Sequence, residues 1–179
     1  MAVQPPIIVI AGRTNVGKST LFNRLLEEQK ALVSVINGTT RDRQEGDCLW
    51  QGQIVRIVDT AGLDVEQETD IERQALLQTH KGIKNADLIL FVVDLKTGPL
   101  ADDLSLLARI RKAGKPIVLV GNKAESPRVR ASAEEPAWRI GGLPSPLPIS
   151  AARGSGVGDL LDLIFTELKR IGRPPVPIE

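Results

Sequence analysis

A chain of 179 residues is long enough for one full hydrophobic core and too short for two comfortable ones. Its formal net charge of +1 excludes a strongly acidic or basic tail, though not a local basic patch. The single cysteine, Cys48, excludes a disulfide framework and a cysteine metal cluster, and reads as a small core hydrophobe.

The stretch Met1-Ala2-Val3-Gln4-Pro5-Pro6 lacks the basic segment and long apolar run of a signal peptide, and no later stretch approaches a membrane span. A cytoplasmic protein with no membrane contact is expected. Ile7 to Ala11 is an unbroken apolar run, the signature of a strand buried on both faces. Residues 18–28 predict a helix, with Leu21, Phe22, Leu25 and Leu26 on one side. Residues 31–44 read as loop with a short β segment around 32–35. Residues 48–50 and 53–58, joined through Gln51-Gly52, predict a hairpin.

A second helix is expected at 71–83 and a buried strand at 88–93. A third helix at 102–112 is stopped by Gly114 and Pro116. The next central strand is 117–120. Pro148-Ile149 is a short strand whose neighbouring prolines suit an edge. The last helix, 159–171, ends at Gly172 and Pro174. Between these, residues 125–146 are rich in Pro, Ala, Gly and charge, and predict a short helix around 134–140. The tail 174–179 reads as a stiff linker. Apolar runs alternating with helices argue an α/β fold around a mostly parallel sheet.

Gly12-Arg13-Thr14-Asn15-Val16-Gly17-Lys18-Ser19 fits the phosphate-loop pattern G-x-x-x-x-G-K-[ST], between a predicted strand and a predicted helix. Backbone N–H groups of such a loop cradle phosphates, Lys18 reaches the outer ones, and the Ser19 hydroxyl ligates Mg²⁺. Thr40 sits in the polar loop 37–43, where a threonine hydroxyl closes on Mg²⁺ when a γ-phosphate is present; alone it would read as a turn residue. Asp59-Thr60-Ala61-Gly62 follows the strand 54–58. There Asp59 can hold the Mg²⁺ hydration shell and Gly62 can offer an N–H to the γ-phosphate. Asn122-Lys123-Ala124-Glu125 follows the strand 117–120. A carboxylate at Glu125 accepts from guanine N1–H and the 2-amino group together, which adenine does not present, and the Lys123 stem can lie over the ring. Ser150-Ala151-Ala152 has small residues that let a backbone N–H approach guanine O6.

Taken together, Gly12 to Ser19, Thr40, Asp59 to Gly62, Asn122 to Glu125 and Ser150 to Ala152 resemble the five guanine-nucleotide motifs of small GTP-binding domains, in order. The fine pattern is narrower: residues 12–25, Gly-Thr-Thr-Arg-Asp-Arg at 38–43, residues 86–94 and residues 114–123 resemble the Era/Der (EngA) branch of bacterial GTPases. The first of the two GTP-binding domains of the Der family is the nearest likeness. That resemblance implies a P-loop GTPase fold, a predominantly parallel six-stranded sheet with one antiparallel strand and helices on both faces. It implies a GTP-binding domain at 1–172 and an interdomain linker beginning at 173–179.

The resemblance implies in-line attack of water on the γ-phosphate of GTP to give GDP and phosphate, in a switch protein of large-ribosomal-subunit assembly. Asn15, Val16, Gly17, Lys18, Ser19 and Thr20 would contact phosphate, with Asn122, Lys123, Glu125, Ser150, Ala151 and Ala152 around the base. Ser19, Thr40 and Asp59 would serve Mg²⁺, and Lys18, Asn15, Thr40 and Gly62 the chemistry. The implied partners are a second GTP-binding domain, a small C-terminal domain, and the large ribosomal subunit or its RNA; the domain itself is expected to be a monomer.

Four features depart from the common pattern, the first being Gly38-Thr39-Thr40, which resembles the second GTP-binding domain of the Der family and its relatives as much as the first. Glu125 stands where most GTPases have Asp, one methylene further out. Ala61 stands where the Der family commonly has Gly. Leu63 replaces the glutamine that orients water in many small GTPases. The resemblance implies a potassium ion as substitute, held partly by Asn15; the plainer reading of Asn15 is a turn former. Arg41 and Arg43 read either as partner contacts or as a solvated pair beside Asp42 and Glu45. His80, Trp50, Trp138 and Asp94 read as structural. Two other functions stay open on these residues: a P-loop enzyme using ATP, and a nucleotide-gated binding module with negligible hydrolysis, the latter motivated by Leu63.

Overall fold

The computed structural model describes residues 3–27, 45–60 and 81–178. The expected segments at 32–35 and 71–80, and Thr40, Arg41, Arg43, Ala61, Gly62, Leu63 and His80, lie outside the described residues.

Six strands form one continuous path. They are β1 (Ile7–Ala11), β2 (Glu45–Trp50), β3 (Gln53–Asp59), β4 (Leu88–Asp94), β5 (Ile117–Asn122) and β6 (Leu147–Pro148), in the spatial order β2-β3-β1-β4-β5-β6. Only β2 runs against its neighbour in this path; β3, β1, β4, β5 and β6 are parallel. Period-two alternation sends neighbouring side chains to opposite faces, and both faces are buried. Ile8, Ile10, Leu88, Leu90 and Val92 pack under helices α1 (Lys18–Glu27) and α4 (Val157–Arg170). Val9, Ala11, Ile89, Phe91 and Val93 pack on the other side, with Leu107 and Ile110 of α2 (Ala101–Arg111) and with Trp138. Trp138 is thus a packing residue, as its sequence context suggests. Cys48 is buried in the first of these clusters.

Three details differ from the sequence expectations. β2 begins at Glu45 rather than 48, because Asp47 lies opposite Arg56 and accepts from its Nε at 2.9 Å; a cross-strand pair compensates for weak strand formers. The helix expected at 134–140 instead splits into α3 (Pro127–Ser132) and a single 3-10 turn at Pro136–Trp138. Ser126 caps α3 by accepting from Val129 N at 3.2 Å, and Pro127 occupies its first turn, where no donor is needed. Finally, the tail supplies a seventh strand, β7 (Val176–Pro177), antiparallel to β3. Ile54 pairs with Leu49 on one edge and with Val176 on the other, so β7 runs along the edge of β3 that β1 occupies further on.

Candidate functional site

The carboxyl ends of the five parallel strands open onto one edge of the sheet. The chain leaves β1 for β3 on one side and β4 on the other, so β1 lies at the switch point of an open α/β sheet, where ligands bind. Every sequence-predicted site residue that the structure describes lies at or after one of these strand ends. Thr40 and Gly62 are the two that lie outside the described residues.

The loop after β1 is shaped by its two glycines. A Cβ on Gly12 would sit 2.5 Å from the Val92 carbonyl oxygen of β4, and one on Gly17, at φ +100°, would sit 2.2 Å from Asn122 Nδ2. Asn15 adopts φ +64°, a left-handed conformation that asparagine tolerates better than most residues, and its side chain lies in an exposed residue. The Lys18 ammonium, in a residue only 4% exposed, curls back over the loop and donates to the Gly12 and Arg13 carbonyls. Arg13 reaches out of the loop toward α2. Its guanidinium faces the fully buried Asp103 of α2, Nε to Oδ1 at 3.2 Å, and donates to Thr97 Oγ1 at 3.0 Å.

Ser19, at the second position of α1, donates to Asp59 Oδ2 at 3.1 Å. Thr60 fixes the chain just after Asp59, since its hydroxyl donates to the Ile10 carbonyl at 2.7 Å. A hydroxyl and a carboxylate side by side suit a hard cation such as Mg²⁺, which takes its remaining oxygens from phosphates and water. Among the described residues no group of three or more His, Cys, Asp or Glu could hold a metal by itself.

The base-side motif converges on the same loop. Asn122, 4% exposed, donates from Nδ2 to the Val16 carbonyl at 2.8 Å and accepts from Ala151 N at 2.9 Å. One side chain therefore joins the phosphate loop, the end of β5 and the 150–152 loop. Lys123, at φ +67°, donates to the Asn15 carbonyl at 2.9 Å and to Asp94 Oδ2 at 2.7 Å. Asp94 is structural, as its position at a strand end suggests, but what it supports is a site residue. Ser150 is fully buried, and its hydroxyl accepts from Arg153 N at 3.1 Å.

Four basic side chains with no site role in the sequence reading hold this region, Arg24 from within the 12–25 pattern and the others outside any motif, and each reaches a group far away in the chain. Arg24 of α1 donates to the carbonyls of Ala151 and Ala152 at 2.9 and 2.6 Å. Arg130 reaches Ser155 Oγ at 3.3 Å and the Ala124 carbonyl at 3.4 Å. Arg153 donates to the Glu125 carbonyl at 3.2 Å. Lys96 Nζ donates to Glu125 Oε2 at 2.8 Å. That Lys96 bond, with smaller help from Arg153 and Ser150 and against some desolvation, holds the Glu125 carboxyl below the usual carboxylate range, so it is an acceptor at neutral pH.

The sequence matches the pattern of the 50S ribosome-binding GTPases over residues 7–123. It is 43% identical over 172 residues to the GTPase Der of Herpetosiphon aurantiacus, covering 93% of this chain and 37% of that protein. It is 47% identical over 158 residues to the GTPase Der of Bartonella tribocorum, covering 88% of this chain and 33% of that protein. The fold superposes with a TM-score of 0.72 and 28% identity on Era in complex with MgGDPNP and a segment of 16S ribosomal RNA, covering 91% of this chain and 56% of that one. The chain thus spans about a third of the length of the curated relatives it matches. Among the described residues no helix is long and apolar enough to cross a membrane. With a phosphate loop at the sheet's switch point and this sequence match around it, the chain belongs to the 50S ribosome-binding GTPase family.

Proposed function

We propose that this chain binds GTP and GDP with Mg²⁺ and hydrolyses GTP, as one GTP-binding domain of a longer cytoplasmic protein that assembles the large ribosomal subunit. The observation that carries the reading is the Ser19–Asp59 pair, 3.1 Å apart, directly beside the buried Lys18. A hydroxyl, a carboxylate and an ammonium meet there, at the end of the loop whose Val16 and Asn15 carbonyls accept from Asn122 and Lys123.

On this reading Lys18 exchanges its carbonyl partners for β- and γ-phosphate oxygens and carries their charge, together with loop N–H groups from Asn15 to Thr20. Ser19 and Thr40 would ligate Mg²⁺, and Asp59 would act on it through a water; the cation would supply charge neutralisation for the phosphates. Gly62 offers its N–H to the γ-phosphate. Glu125 selects guanine, Lys123 covers the ring, and the 150–152 loop faces O6. Asn15 contributes to a K⁺ site, in place of the water-orienting glutamine replaced by Leu63. The domain comprises 1–172, is a monomer, and hands on through 173–179 to a second GTP-binding domain and a C-terminal domain. Through the full protein it meets ribosomal RNA.

Phosphate release from GTP and from ATP, in matched KCl and NaCl with Mg²⁺, tests the reading. Release from GTP alone, faster in potassium, is expected. Comparable ATP turnover would overturn guanine selection, and equal rates in both salts would remove the potassium role. Lys18→Ala should lower nucleotide affinity by about 100-fold, since charge-assisted bonds to phosphate are worth roughly 1.5–3 kcal/mol each; unchanged affinity overturns the site itself.

A further inference from the structure

Glu125 ends one methylene further from the backbone than an aspartate would, which frees its carboxylate to swing. What holds it most strongly in this structure is Lys96, whose Nζ donates to Oε2 at 2.8 Å, with smaller help from Ser150 and Arg153. Lys96 is not placed at random. It sits in the turn after β4, where its own backbone N–H donates to Asp94 Oδ1 at 2.8 Å. The other oxygen of Asp94 holds Lys123 Nζ at 2.7 Å. One three-residue turn, 94–96, thus grips both Lys123 and Glu125, the two side chains that flank the proposed base position.

The geometry points to Lys96 as a positioning residue for guanine recognition: its ammonium holds the Glu125 carboxylate in the one orientation that accepts from N1–H and the 2-amino group together. This rests on the reading that Glu125 selects guanine. A carboxylate has about four lone-pair sites on its two oxygens, so the Lys96 bond on Oε2 leaves room for two donors from a base. Lys96 is half exposed and Glu125 about one quarter, so the pair is a poor stabiliser of the fold as a whole. Its effect is to narrow the rotamers of a long acidic side chain before the base arrives, which lowers the ordering cost of binding.

The test is the affinity of the chain for GDP and for inosine diphosphate, whose base lacks the 2-amino group. Lys96→Met should weaken GDP by about fivefold and inosine diphosphate much less, the size of coupling usual between contacting side chains. Lys96→Arg should restore the difference. In a Glu125→Asp background the shorter carboxylate ends out of reach of Lys96, so the same Lys96→Met change should have no further effect. Equal weakening of both nucleotides, or the same loss in the Glu125→Asp background, overturns the proposal, as does tighter GDP binding by Lys96→Met. The underlying reading fails separately: Glu125→Gln that leaves the preference for GDP over inosine diphosphate intact means Glu125 does not read the base at all.

Discussion

Asn15 shows how a single side chain can be asked two questions at once. Its backbone needs φ +64°, and its carbonyl accepts from Lys123 Nζ at 2.9 Å, so part of its presence is conformational. Alanine would disturb the turn, because a Cβ-bearing residue without a local acceptor resists this region. Glycine keeps the turn and removes only the amide. Asn15→Gly should therefore bind GDP within about fivefold of the parent, since a glycine backbone change is worth about 0.4–1 kcal/mol, while losing stimulation of GTP hydrolysis by K⁺ over Na⁺. Stimulation that survives would leave Asn15 as a turn former only. Asn122 is the opposite case, a buried side chain whose amide satisfies two backbone groups, Val16 O and Ala151 N. Asn122→Ala strands both, and each buried unsatisfied group costs about 1–3 kcal/mol. Urea unfolding should report a loss of about 3 kcal/mol, and GDP affinity should fall with it; unfolding free energy equal to the parent's would show that water replaces the amide.

At the scale of elements, the phosphate loop is tied to α2 as well as to the sheet. Asp103 is fully buried at the third position of α2; one oxygen accepts from Leu100 N at 2.8 Å, across the start of the helix, and the other faces Arg13 Nε at 3.2 Å. Asp103→Ala removes the first-turn acceptor and leaves the largely buried Arg13 guanidinium without its counter-charge. Breaking a buried pair on one side costs about 3–5 kcal/mol, so the variant should unfold at clearly lower urea and bind GDP more weakly. Asp103→Asn, which keeps an acceptor for Leu100 N, should recover part of the stability but less of the affinity. The reverse order would place the role of Asp103 in the helix cap rather than in the loop. This link was not legible in the sequence. Arg13 and Asp103 each look unremarkable locally, and only the packing of α2 beside the loop brings them together. The strands β1, β4 and β5 and the phosphate loop, by contrast, were legible, because buried parallel strands are written as continuous apolar runs and the loop as a fixed spacing. The start of α3 was written too, as Ser126-Pro127, but a dipeptide in a stretch rich in turn formers carries less weight than the alanines and glutamates after it.

Over the whole molecule, the tail closes the sheet at the end opposite the site. Pro177 and Val176 pair with Gln53 and Ile54, Ile178 N donates to the Gly52 carbonyl at 2.9 Å, and Arg173 holds Asp87 through Nε and Nη2 at 2.8 and 3.1 Å. Asp87 in turn accepts from Ile7 N at 2.8 Å, so one carboxylate joins the start of β1, the start of β4 and the tail. Composition suggested only a proline-rich linker here, since proline normally argues against strand pairing. The pairing survives because β7 is two residues long and sits where β1 has not yet begun. Burial alone would raise the Asp87 carboxyl, but the Arg173 guanidinium and the Ile7 N–H outweigh it and hold it below its ordinary value. A carboxyl depressed in the folded state stabilises above its unfolded pKa, about 3.9, and that stabilisation is lost as pH falls through the lower folded value. Asp87→Asn should therefore cost about 1 kcal/mol at neutral pH, the scale of a partly exposed charge-assisted bond. The difference from the parent should shrink as unfolding is repeated below pH 4. A difference that stays constant down to that range would mean that the carboxylate charge contributes nothing, and that the junction of tail, β1 and β4 is held by packing alone.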